Sequence, residues 1–313
     1  MSLTLANSLA LVNDVLQAAI VIFGAGVILY NVPHWVGDRV TRAFSNLVFF
    51  VVVVYFSELL VSRTQLPVSA EYILRSGWLG IAFVPAAQFH LSDALLVTTG
   101  YFSKRRRLAV RGFYLLGLAL FAMTVFSDTI TMGLVDIPHV PHLQRGPLFP
   151  LFVLFFLGTT GISIYNVFRA RQRCVTRTTR QRMTTILTAF LAAPLAVFPY
   201  QLLVGDASVS LPIWLLLISG NLIVGIMFAL LTYYLAYFGQ VSPDRVVRVR
   251  LFKFMARVPM TATIALSVYI LVGRASPLLG LPSETMRAIA LVLTVMFVEW
   301  SIHQFKQPLE RFL

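Results

Sequence analysis

Charge is the first scarcity. Of 313 residues only 12% are Asp, Glu, Lys or Arg, about half the share with which soluble domains keep their surfaces hydrated. So few solvated side chains do not cover a water-facing surface, whereas a lipid-facing one needs no such cover. Acidic residues are scarcer than basic ones, 12 against 25, and the net charge is +13. That excess does not point to nucleic acid: the basic residues sit in short clusters between apolar runs, with no basic-aromatic groove or recognition-helix pattern. Cysteine is nearly missing. Cys174 stands alone, which excludes an internal disulfide and reads as a free thiol in a reducing compartment. Enzyme motifs are missing too: GxxxxGK[ST], HExxH, GxSxG and CxxC do not occur, so no enzyme activity is assigned to the chain and no cofactor is named. The first ten residues lack a basic region and Asp14 interrupts the early apolar stretch, so the first helix is expected to persist as a span rather than be removed as a signal peptide.

What remains is apolar: 58% of the residues are hydrophobic, with a mean hydropathy of +0.83. A helical span takes about 20 mainly apolar residues. Nine segments fit, at 9–31, 43–62, 72–100, 112–130, 148–168, 184–204, 211–238, 258–273 and 287–305. The expected fold class is therefore all-α, a polytopic membrane helix bundle with about nine transmembrane helices. Strands are not expected, because a membrane barrel alternates polar and apolar positions and a segment such as Leu148–Leu157 is apolar on every side. With the N-terminus outside, 20 Lys and Arg fall in inner loops and the tail, against 5 in outer loops. That positive-inside imbalance orients the chain with its C-terminus in the cytoplasm and places it in the inner (plasma) membrane.

The layout divides into seven spans over 1–240, a basic connector at 241–257, and a two-helix hairpin with a cytoplasmic exit at 258–313. The connector alternates basic and apolar residues, a pattern that suits either the surface of an anionic leaflet or a plain stop-transfer loop.

Ionisable residues inside spans are costly and become candidate sites by default. Asp14, Glu58 and Asp128 fall near the outer ends of their spans and suit an outward-facing pocket for a cation, an amine or a polar ligand; hydrated positions in the interface are the other explanation. In the third span, Pro85 removes a backbone hydrogen bond and predicts a kink, with Gln88, His90 and Asp93 directly after it. His90 and Asp93, three apart, share a helix face and are placed to hydrogen-bond or share a proton. The triplet suits a ligand pocket or moving part, or bridges to neighbouring helices. Glu299 and His303 lie near the inner face. Asp136, His139 and His142 in one outer loop have metal-ligand chemistry but no evident fourth ligand, and no metal is assigned. Haem ligation is disfavoured, since only His90 and His303 lie in spans and at different depths. Pro194, Pro199 and Asn221 mark further places for helices to bend or bond.

The seven-span layout, the short basic inner loops, and the run from Trp78 to Pro85 into Gln88–Asp93 resemble the seven-helix N-terminal sensor region of bacterial histidine kinases and related GAF and PAS signalling proteins. The tail from His303 to Leu313 resembles the point where such proteins leave the membrane. The resemblance implies a signal-input module that passes ligand or membrane-state information to a cytoplasmic domain or partner protein, with a homodimer plausible and the lipid bilayer as its surroundings. The sequence stops at Leu313 without a phosphoacceptor region or an ATP-binding domain, so any kinase activity is expected elsewhere. Two other classes fit the residues: a transporter or channel using Asp14, Glu58, Asp93 and Asp128 as a cation or proton path, and a structural subunit of a membrane complex. A membrane-embedded enzyme with dispersed catalytic residues also stays open.

Overall fold

The computed structural model describes residues 3–32, 38–62, 64, 66–135, 141–200, 202, 211–235, 254, 257–275 and 283–312, with side chains described except at 3–6, 191–196, 274–275, 283 and 303–312. Among them are nine helices: α1 (Leu3–Asn31), α2 (Arg39–Val61), α3 (Pro67–Thr98), α4 (Lys104–Phe126), α5 (Phe149–Gln172), α6 (Arg177–Val197), α7 (Leu211–Leu235), α8 (Pro259–Ala275) and α9 (Ser283–Phe312). Seven of them, all but α6 and α8, are long and apolar enough to cross a membrane. The chain thus has the helices of a multi-pass membrane protein. α6 falls short because its first turns carry Arg177, Arg180 and Arg182, and α8 because it has only 17 residues.

The helix starts follow local chemistry. The Asp38 carboxylate caps α2 by accepting from the backbone N–H groups of Val40 (3.2 Å) and Thr41 (2.9 Å), two donors that a helix start otherwise leaves without partners. α3 begins on Pro67, whose missing N–H costs nothing there. Ser103 caps α4, accepting from the N–H of Arg106 at 3.4 Å. Between α3 and α4 the chain reverses at Gly100, whose φ of 81° lies in the left-handed region, where a Cβ would be strained.

Six helices form the body. α1 packs on α2, α2 on α3, α3 on α5, α5 on α6, α6 on α7, and α7 back on α1. Their shared core includes Phe44, Leu91, Phe190 and Phe228, all 2% exposed or less. α4 lies outside this ring against α3, and the α8–α9 pair attaches through α8 to α1. The burial of the apolar stretches follows that order: 83% in α3, 17% in α4 and 6% in α9. α3 is the central element. Pro85 sits buried within it, and α3 runs as one helix through that position.

Two expectations need correction. The fourth helix runs over Lys104–Phe126 rather than 112–130: the Ser103-capped basic turn starts it ahead of the apolar stretch, and it stops at Phe126, so Asp128 lies past its end. The loop after it holds strands: β1 (Thr131–Val135) pairs antiparallel with β2 (His142–Arg145), with Leu134 opposite Leu143 and Val135 opposite His142. Ile130 and Leu143 anchor this hairpin in a second core with Trp78, Leu120, Phe152 and Phe156. Of the basic connector at 241–257, only Phe254 and Arg257 lie within the described residues.

Candidate functional site

The hairpin lies at one end of the bundle, the end where α2 finishes and α3 begins. A cavity of about 290 Å³ opens there, lined by α1, α2, α3, α7, the hairpin, and the stretch after α6. α1 supplies Asn13, Asp14 and Gln17, whose spacing puts them on one helical face. α2 supplies Tyr55 and Glu58, α3 Gly77 and Trp78, and α7 Asn221. His142 of β2, Phe198 and Tyr200 complete an aromatic rim.

The polar groups hold one another in place. The Gln17 Nε2 donates to Glu58 Oε2 at 2.7 Å, joining α1 to α2. The Asn221 Nδ2 donates to Asn13 Oδ1 at 2.8 Å, joining α7 to α1. Asp14 is 9% exposed, and Glu58 is partly buried against the same space. Two carboxylates, several amides and aromatic faces in one concave site are the complement of a small cation, which gains from the charges and from the ring quadrupoles.

Asp128, the third outer acid, does not join them. It is 71% exposed and pairs with Arg75. Arg75, paired also with Glu71 at 2.9 Å, donates to the carbonyl of Thr124 at 2.7 Å. Arg75 therefore clamps α3 to the C-terminal end of α4, where carbonyls lack helical partners and a cation is favoured.

The third-span triplet lies deeper and divides its partners. Gln88 donates to the Phe190 carbonyl on α6 at 3.2 Å and accepts from Thr160 on α5 at 3.4 Å. Ser92, one turn on, accepts from Asn166 of α5 at 3.2 Å. His90 Nδ1 meets the Tyr114 hydroxyl of α4 at 3.3 Å, and Asp93 takes Arg106 at 2.7 Å. His90 and Asp93 therefore face separate partners rather than bonding to each other, and Gln88, His90 and Asp93 each meet a neighbouring helix. Glu299 pairs with Arg257 at 3.4 Å.

Among the described residues no group of three or more His, Cys, Asp and Glu could hold a metal ion; Asp136 and His139 lie outside them, as does the side chain of His303. Sequence reasoning placed Asp14 and Glu58 in one site but missed Gln17, Asn13, Tyr200 and Trp78 as its walls. The only available signal was the Asn13/Gln17 spacing around Asp14. Compared with protein-family models, with curated proteins and with solved structures, the chain matches none of them.

Proposed function

We propose that the chain is a nine-span signal-input protein of the inner membrane, with the N-terminus outside and the C-terminus in the cytoplasm. It takes a small organic cation into the hairpin-end cavity and passes the occupied state to a cytoplasmic domain or partner. The observation that carries this reading is the joint lining of one aromatic-rimmed cavity by Asp14 and Glu58. The positive-inside charge pattern supports the orientation, and the resemblance of the third-span segment to sensor regions supports the class. α3 gives the signal a physical route. It lines the cavity at Trp78, bonds α6 and α5 at Gln88 and Ser92, and ends in the Asp93–Arg106 pair. Signalling then requires two packings of this helix against its neighbours, with ligand bound more tightly in one.

A transporter reading draws on the same carboxylates. Against it, the core that Val51, Val84, Leu91 and Phe228 belong to is apolar and buried. The test is thermal stabilisation of the purified protein in nanodiscs by primary amines and quaternary ammonium ions. Saturable stabilisation with no cation flux in proteoliposomes supports reception. Flux that depends on Glu58 supports transport instead.

A further inference from the structure

At the opposite end of the bundle three guanidinium groups gather on one ring. Arg106, Arg169 and Arg173 lie 4.6, 4.3 and 5.0 Å from the centroid of Tyr101. Like charges so close repel, and among the described residues the carboxylate bonded to this group is Asp93, which holds Arg106 at 2.7 Å. Beside the ring a cavity of about 500 Å³ is lined by Arg173 and Arg182, with Thr98, Thr99 and Thr179 along its walls. The Thr98 and Thr99 hydroxyls donate to backbone carbonyls within α3, so donors for a ligand come from the arginines. Stacking on Tyr101 holds the guanidinium planes in place, which reduces the ordering cost of gripping an oxyanion.

We infer that this arginine cluster, which opens into the cavity at Arg173, is a binding site for a phosphate-bearing anion, gripped by Arg173 and by Arg169 beside it on the Tyr101 ring. Planar guanidinium forks match phosphate oxygens two at a time. The phosphate has two sources, the headgroup of an anionic lipid or a soluble phosphorylated compound, and basic clefts between helix ends at a membrane surface suit the former. The inference is independent of the hairpin-end cavity.

The experiment uses the full chain, purified and delipidated in detergent. Two probes are titrated separately: dioleoylphosphatidylglycerol, with dioleoylphosphatidylcholine as its control, and inorganic pyrophosphate. Native mass spectrometry reads the lipid and calorimetry reads the pyrophosphate. R169Q/R173Q is expected to weaken binding about tenfold or more, whereas R105Q/R107Q, which removes two exposed charges from the same region, stays within twofold. R173Q alone, at an exposed position that folding tolerates, weakens it at least threefold. Retention of the lipid alone identifies a headgroup, and binding of pyrophosphate alone a soluble ligand; both outcomes, or binding of both probes, support the site. It is overturned if the wild type binds neither probe, or if the two double variants lose affinity equally, as general attraction to a basic surface predicts.

Discussion

Gln17 on α1 and Glu58 on α2, 41 positions apart in the chain, meet through a hydrogen bond of 2.7 Å at the edge of the hairpin-end cavity. The bond fixes one carboxylate oxygen of Glu58, so a group lining the cavity is held in place by the protein itself. Gln17→Leu is expected to leave the charge of the site intact yet weaken cation binding about threefold to tenfold, as loss of one charge-assisted hydrogen bond implies. Titration of wild type and variant with the same amine checks this.

The Asp93–Arg106 pair is a matter of stability. The side chains are only 6% and 14% exposed, so removing one partner leaves the other charge stranded. Asp93→Asn and Arg106→Gln are each expected to cost about 3 kcal/mol, read as a lower unfolding midpoint in detergent. The double variant should recover part of that loss.

Helix packing inside a bilayer gains little from apolar burial and depends on close approach. Gly80 is such a position: a Cβ there would press on the Phe50 carbonyl and the Val54 side chain of α2. Gly80→Ala is expected to destabilise by about 1–3 kcal/mol. Gly112 on α4 has nothing within 4 Å of the same position, and Gly112→Ala should stabilise by up to about 1 kcal/mol through helix propensity. Thermal unfolding of the two variants side by side should show shifts of opposite sign.

The seven long apolar helices were legible because a run of some 20 apolar residues carries its meaning locally. The site was only half legible. Asp14 and Glu58 stood out as charges in apolar runs, but Asn13 and Gln17 read as ordinary span residues, and Trp78 only as the start of the third-span run, until the fold brought α1, α2 and α3 to one end. Asp128 misled, because the partner that claims it, Arg75, is 53 positions away. The hairpin escaped notice since Thr131–Val135 is short, and its stability comes from Ile130 and Leu143 packing under Trp78.

Burial pushes the Cys174 thiol above its ordinary pKa, and its Sγ–H donates to the Ala170 carbonyl at 3.3 Å. Since the thiolate is the reactive form, alkylation should be slow at neutral pH and accelerate as pH rises towards the alkaline range. Orientation can be read in the same chemistry. In a Cys174→Ser background, Gly133→Cys in the hairpin should react with an impermeant maleimide on intact cells. Val175→Cys, whose position is 98% exposed, should react only after the membrane is opened. The reverse pattern would invert the topology.

The cavity itself is tested most directly by titrating the purified protein with a panel of primary amines and quaternary ammonium ions that fit about 290 Å³. The same titration is then repeated on Glu58→Gln and Asp128→Asn. The expected result is saturable binding of at least one cation, weakened about tenfold or more by Glu58→Gln and unchanged by Asp128→Asn. No binding across the panel, or equal losses in the two variants, would contradict a cation site at Glu58.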